Sequence, residues 1–258
     1  MNTNSNAYTV IYSTIIVVVV AAVLAFVATA LKPMQTANEK AETISQILTA
    51  AQFGEKASWT DNNATIAFYK ENIEKAYTVD LEGNEVKDLD IADAEVYSTS
   101  DLKAQNYAIR DGAGAKLPVY VFKNGVKVIP VYGAGLWGPV WGYIAVGSEG
   151  NIAGAYFDHA SETPGLGGKI KDDPSFRAQF IGKKFDFSDE KPFAIVKGGA
   201  PAGKDNAIDA ITGATMTSNG VDAAINTWAK AYEKVLSAEI SVEQTEVSAD
   251  EAEVNVEE

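Results

Sequence analysis

Hydrophobic and polar positions divide this chain into an apolar N-terminal run, two stretches of helical period, a block of strand-like alternation and a last helical stretch. Val10 to Leu31 is 22 residues without one charged side chain. At about 1.5 Å per residue it spans roughly 33 Å, enough for a ~30 Å hydrocarbon core, and Lys32 and Pro33 end it. Ala37, Ala41, Ile44, Leu48 and Ala51 recur at helical spacing and predict an amphipathic helix ending near Gly54. A second helix is predicted from Asn62 to Tyr77, with Ile66, Tyr69, Ile73 and Tyr77 on one side. Val79 to Asp93 alternates poorly and holds Gly83-Asn84, which predicts short strands and turns.

The middle of the chain predicts sheet. Leu117 to Phe122 and Val126 to Val131 flank Lys123-Asn124-Gly125, and Asn-Gly between apolar alternations is a strong hairpin signal. Tyr143 to Val146 and Ile152 to Phe157 repeat the pattern around Ser148-Glu149-Gly150-Asn151. Gly133 to Gly142 links the two hairpins. Asp173-Pro174 predicts a short helix running to about Ile181. Val221, Ala224, Ile225, Trp228, Ala231, Tyr232 and Val235 form the buried face of a final helix, with Ser218 or Asn219 as its N-cap. Adjacent hairpins with helices before and after them define an α+β class: one N-terminal transmembrane helix, then a soluble domain with a mainly antiparallel sheet and flanking helices.

Composition narrows the chemistry. The 258-residue chain has no cysteine, which excludes disulfides, thiolate nucleophiles and cysteine-ligated clusters. One histidine, His159, cannot make a multi-histidine metal site, and as a single residue it suits a structural role better than a catalytic one. Redox chemistry here would need an organic cofactor. The net charge of −14 argues against nucleic acid as a partner. Eight acidic residues and no Lys or Arg follow from Glu239 onward, so residues 239–258 read as a solvated, disordered acidic tail. Residues 1–9 form a short N-terminal tail and 10–31 the span. Ala28-Thr29-Ala30 is A-x-A-like, but the leading residues carry no Lys or Arg and the apolar run exceeds an h-region. A retained anchor is therefore the reading over a cleaved signal peptide. Lys32 and Lys40 after the span weakly favour a cytoplasmic domain.

Chemistry concentrates in three segments. Asp209 to Gly220 reads Asp-Ala-Ile-Thr-Gly-Ala-Thr-Met-Thr-Ser-Asn-Gly, with hydroxyls at Thr212, Thr215, Thr217 and Ser218 around Gly213 and Ala214. A hydroxyl-rich loop entering a helix suits an anion, since unpaired N–H groups and the positive dipole end face it. The same spacing also suits a turn that caps the helix and binds nothing, and spacing alone does not separate the two. Gly135-Leu136-Trp137-Gly138-Pro139 offers backbone access beside an aromatic face; Trp141 fits a ligand face or the core equally. His159 to Lys169 is a glycine-rich loop in which Ser161, Thr163 and Lys169 could hold a phosphate or a polar ring edge. No Gly-x-Gly-x-x-Gly follows a strand into a helix, so a Rossmann site is not supported.

Asp209-x-x-Thr212-Gly213-Ala214-Thr215 resembles the signature of proteins in which a flavin transferase links FMN, through its phosphate, to a threonine hydroxyl. Together with Gly-Leu-Trp-Gly and Glu-Thr-Pro-Gly-Leu-Gly behind one N-terminal span, it resembles the C-type member of the sodium-translocating NADH:quinone oxidoreductases over nearly the whole chain except the tail. The G-type member of the Rnf ferredoxin:NAD oxidoreductases shares the motif and plan. The resemblance implies covalent FMN on Thr215 and an FMN-binding domain over 32–238. It also implies a single pass through the bacterial inner membrane, electron relay among other subunits of the complex, and a domain on the periplasmic face. That orientation is taken over the two-lysine count because large domains translocate largely regardless of such charges. Threonine is a poor nucleophile, and nothing in the chain resembles a nucleotidyl-transfer site, so maturation would need the separate transferase. Trp137 and Leu166 are the expected ring contacts. Glu162, Thr163, Gly165 and Lys169 are expected at the polar edge or phosphate, and Asp209, Thr212, Gly213, Ala214 and Thr217 beside the ester. A membrane-tethered scaffold without flavin is the alternative of another class.

Overall fold

A computed structural model of the chain describes residues 5–54 and 61–237. The expected acidic tail and the first four residues lie outside the described residues. The described residues fall into two compact units that part between Lys40 and Ala41.

Helix α1, Asn6–Ala50, begins with the apolar run and continues through Pro33. The predicted span and the predicted amphipathic helix are therefore one helix. Proline removes one intrahelical hydrogen bond, but helix-forming residues on both sides keep the flanking turns paired. An 18-residue window of α1 has mean hydropathy 2.9 and is long and apolar enough to cross a membrane. From Ala41 to Ala50 α1 belongs to the second unit, where Ile44, Ile47 and Leu48 are fully buried.

Within the second unit the chain runs α2 (Asn62–Asn72), β1 (Ile73–Val79), β2 (Glu85–Asp88), α3 (Thr99–Asp111), β3 (Leu117–Phe122) and β4 (Lys127–Ala134). It continues with β5 (Pro139–Val146), β6 (Ile152–His159), α4 (Lys169–Asp172), α5 (Pro174–Ala178), β7 (Ala194–Val196), β8 (Ala207–Asp209) and α6 (Thr215–Ala231). Six strands form one antiparallel sheet in the order β2-β1-β3-β4-β5-β6, and β7 pairs with β8 in parallel. The α+β arrangement with a mainly antiparallel sheet is borne out.

α5 stops at Ala178, short of the expected Ile181, and three larger differences from expectation concern whole elements. The predicted helix over 62–77 stops at Asn72 and its second half is β1. Ile73 and Tyr77 satisfy both a four-residue and a two-residue period, and pairing with β2 and β3 decides between them. The second difference concerns residues 133–142, which are mostly strand. β4 and β5 pair from Lys127↔Val146 to Ala134↔Pro139, leaving only a tight turn whose Gly135 N–H donates to the Gly138 carbonyl at 2.8 Å. Thirdly, α3 had no counterpart in the hydrophobic pattern, although its signal is present. Ser98 and Asp101 form a capping box, and Gly112 closes the helix in a left-handed conformation.

Helices pack on both faces of the sheet. α6 presses on β4, where a Cβ at Gly133 would lie 2.8 Å from Cβ of Ala224. The opposite face carries Trp141 and Tyr143, which hydrogen-bond to Gln46 and Thr43 from the end of α1. Trp228 of α6 is fully buried, and its indole N–H is shared between Asn106 Oδ1 at 3.0 Å and the Tyr132 carbonyl at 2.9 Å. Nearer the start of α6, Gly220 leaves no room for a Cβ against the Ala134 carbonyl and Gly135, which sets the first turns of α6 beside the β4–β5 turn.

Candidate functional site

The Asp209–Gly220 segment is the end of β8, a tight loop and the first turns of α6. Asp209 is used structurally: Oδ1 accepts from Ala200 N–H at 2.7 Å and its own N–H donates to Gln179 Oε1 at 2.9 Å. Gly213 sits at φ +82, a conformation that favours glycine, and Ala214 N–H closes the turn onto the Ile211 carbonyl at 3.1 Å. The helix then begins at Thr215, ahead of the predicted cap at Ser218 or Asn219. Ser218 lies inside the first turn, where its buried hydroxyl accepts from Ile211 N–H at 3.1 Å. Its side chain braces the loop behind it rather than the helix ahead. The N-cap position falls to Ala214, which has no side-chain acceptor to offer.

That leaves Thr215 as the first helical residue, half-buried, with no hydrogen bond to its hydroxyl among the described residues. Thr212 and Gly213 are exposed beside it, Ala214 is buried and Met216 is 60% exposed. Thr217 turns inward. It is 1% exposed, and its hydroxyl donates to Glu162 Oε2 at 2.6 Å.

Glu162 is 4% exposed and joins three segments. Its Oε1 accepts from Trp137 N–H at 2.9 Å, Oε2 takes the Thr217 hydroxyl, and its main-chain N–H donates to His159 Nδ1 at 3.0 Å. The single histidine thus serves as an acceptor inside the loop. Ser161 Oγ donates to the Trp137 carbonyl at 2.8 Å, so both sides of that residue's main chain are tied to the post-β6 loop.

The loop itself is wound tightly. The Thr163 carbonyl accepts from Leu166 N–H at 3.1 Å and Gly168 N–H at 2.9 Å, with Gly165 at φ +75 between them. Thr163 and Gly165 are exposed, and Leu166 stands at the tip, 45% exposed. A Cβ at Gly213 would be 3.1 Å from Leu166 Cδ2, which brings this loop against the Thr215 loop. Lys169 heads the short α4, half-buried, with its N–H on the Leu166 carbonyl at 3.1 Å.

Four large apolar side chains remain exposed on these segments: Leu136, Trp137, Leu166 and Met216. Trp137 is 66% exposed and lies outside the core, while Trp141, which fitted either place, packs against the core and bonds Gln46. Leu136 and Met216 were not singled out from sequence; their adjacency to Trp137 and Thr215 was the available signal. Also missed was the network behind the site. Asp158 is 5% exposed and accepts from Gln46 Nε2 at 3.0 Å and Lys171 Nζ at 2.8 Å. Those three residues come from α1, β6 and α4, and nothing in their spacing foretold the meeting.

The class of protein follows from this arrangement. Residues 135–230, from the Trp137 turn to the end of α6, match the family model of the FMN-binding domain. The C-type component of the Na(+)-translocating NADH-quinone reductase from Pasteurella multocida is 36% identical over 214 residues, covering 77% of this chain and 80% of that protein. The corresponding Vibrio anguillarum protein is 44% identical over 116 residues, 43% of this chain and 45% of the relative, so that match spans less than half of its length. The crystal structure of the same component from Parabacteroides distasonis superposes with a TM-score of 0.66 at 33% identity, covering 80% of this chain and 96% of that one. Shewanella oneidensis NqrC shares the fold, with a TM-score of 0.61 at 23% identity. The chain belongs to the NqrC family, the C-type components of Na(+)-translocating NADH-quinone reductases.

Proposed function

We propose that this chain carries FMN, joined through its phosphate to the hydroxyl of Thr215, and relays electrons as a membrane-anchored subunit of a sodium-translocating NADH:quinone oxidoreductase. The observation that carries the reading is Thr215 itself. Thr215 is half-buried and its hydroxyl makes no hydrogen bond among the described residues, at the uncapped start of a 17-residue helix that Thr217 ties through Glu162 to the Trp137 main chain. A hydroxyl-rich cap that bound nothing would turn its hydroxyls onto the helix N–H groups; here Thr217 and Ser218 point elsewhere and Ala214 cannot cap.

The residues fit the group. N–H groups of the first turn of α6, with the positive end of its dipole, would hold an ester phosphate on Thr215. Thr212 and Gly213 leave that approach open. Trp137 and Leu166 supply apolar faces for the ring, and Leu136 and Met216 extend them. Thr163 and Gly165 line the outer side of the loop. When bound, FMN supplies a ring that accepts and releases electrons, while the protein sets its surroundings. Glu162 and Thr217 satisfy each other inside the domain and serve this site from behind.

Attachment needs an external catalyst, because among the described residues no base hydrogen-bonds the Thr215 hydroxyl. A flavin transferase would join Thr215 Oγ1 to the FMN phosphoryl of FAD, with AMP leaving and the hydroxyl proton released to solvent. A divalent cation in the transferase would polarise the phosphoanhydride. The apolar part of α1 would hold the chain in the lipid of the bacterial inner membrane, with the domain on the periplasmic face among the other subunits. The expected limits, span 10–31 and domain 32–238, belong to this proposal. Flavin fluorescence in the band of the denatured chain, together with the identity of co-purified subunits, tests it. A colourless band from cells that contain the transferase would refute it, and ferredoxin-linked partners would reassign the chain to the Rnf type.

A further inference from the structure

We infer that Glu162 is a positioning residue, which sets where the Trp137 ring stands relative to the Thr215 hydroxyl; this rests on the function proposed above. The carboxylate is buried, and each of its oxygens is committed to a different segment: Oε1 to the Trp137 amide and Oε2 to the Thr217 hydroxyl. Trp137 cannot be held by packing, since two thirds of it is exposed. Its orientation comes from its main chain, and there the ties are Glu162 on the N–H and Ser161 on the carbonyl. Thr217 is two residues beyond Thr215 on the same helical turn. One side chain therefore ties the main chain of Trp137 to the helical turn that carries Thr215.

Two glycines make room for this latch. A Cβ at Gly135 would lie 2.5 Å from Oε1, and one at Gly167 would lie 2.5 Å from both Oε2 and Thr217 Oγ1. Among the described residues no cation forms an ion pair with Glu162. A buried carboxylate held only by neutral donors is a costly way to brace a loop. What it offers is two acceptors at opposite ends of one rigid plane, each facing a donor. Glutamine keeps this geometry: its oxygen can face the Trp137 amide while its NH2 faces Thr217, whose hydroxyl turns to accept. Alanine removes both bonds, and Thr217→Val removes one without changing shape.

The test uses the full chain, co-expressed with a flavin transferase, as wild type, Glu162→Ala, Glu162→Gln, Thr217→Val, Trp137→Ala and the double variant Trp137→Ala/Glu162→Ala. Intact mass should show one FMN on every variant. Glu162→Ala and Thr217→Val should lose most of the flavin's visible circular dichroism and shift its midpoint potential, whereas Glu162→Gln should stay near wild type. In the Trp137→Ala background, Glu162→Ala should change neither readout further, because its effect passes through the ring. Wild-type dichroism and potential in Glu162→Ala would overturn the inference. So would equal impairment of Gln and Ala, or additive effects in the double variant. If Glu162→Ala does not fold, Thr217→Val and Glu162→Gln decide it. If wild type carries no FMN, the proposed function fails by itself. Amide exchange at Trp137 in the flavin-free chain then judges the latch: about tenfold faster in Glu162→Ala and unchanged in Glu162→Gln. Equal protection in all three would refute it.

Discussion

The indole N–H of Trp141 donates to Oε1 of Gln46 across 3.1 Å, and Gln46 passes its own amide to the buried Asp158. The last turns of α1 are thus part of the folded domain's core. Beside Gln46, Ile44, Ile47 and Leu48 are each 0% exposed.

A truncated chain beginning at Thr36 should therefore be soluble and melt cooperatively, whereas one beginning at Phe53 should not. Deleting three such aliphatic residues removes several times the ~2–5 kcal/mol typical of one large-to-small core change, against a total stability on the order of 5–15 kcal/mol. Thermal circular dichroism checks this; a cooperative melt of the shorter chain near that of the longer would contradict the packing described.

Thr215→Ala should abolish covalent FMN and leave the melting temperature nearly unchanged, because Thr215 is half-buried and its hydroxyl has no hydrogen-bond partner among the described residues. Thr215→Ser, which retains a hydroxyl, should be modified in part. Intact mass decides the matter, and an adduct that persists in the alanine variant would move the attachment site elsewhere.

Trp137→Ala should cost little stability, within about 0.5 kcal/mol as for other exposed positions, while changing the absorption spectrum and midpoint potential of the flavin. Aromatic stacking contributes roughly 0.5–1.5 kcal/mol beyond area burial, enough to shift a redox equilibrium severalfold if it differs between oxidation states. A melt and a redox titration on one sample test both halves. A large loss of stability with an unchanged spectrum would sink the stacking role.

Alkaline pH should destabilise the domain through its tyrosines. Burial pushes the hydroxyls of Tyr120, Tyr143 and Tyr232 above the ordinary tyrosine value. The folded state keeps them neutral, while the unfolded chain releases their protons near pH ~10. Their contribution is therefore full below that pH and declines as pH rises past it toward the folded values. Tyr232→Phe, which removes the hydroxyl that donates to the Pro118 carbonyl at 2.6 Å, should flatten part of this decline. Melting temperatures measured across the alkaline range should fall less steeply in the variant than in wild type; parallel curves would contradict the assignment.

Local pattern was enough for the features that depend on near neighbours. The 22-residue apolar run could only be a long helix, the Asn124-Gly125 turn could only join two antiparallel strands, and the period from Val221 to Tyr232 buried one helix face. Asp209 to Thr215 carried its resemblance in five positions. Tertiary structure decided what depends on residues far away in the chain. Ile73 and Tyr77 became strand because β2 and β3 flank them. Two tryptophans four residues apart parted company: Trp141 found Gln46, 95 positions earlier, while Trp137 was left at the tip of a turn. Glu162, expected at a polar edge, turned inward because Thr217 from α6, 55 residues on, offered it a donor. A side chain's period is set by its own backbone, but its partner is set by which segments the sheet and α6 bring alongside, and that is not written within any one stretch of sequence.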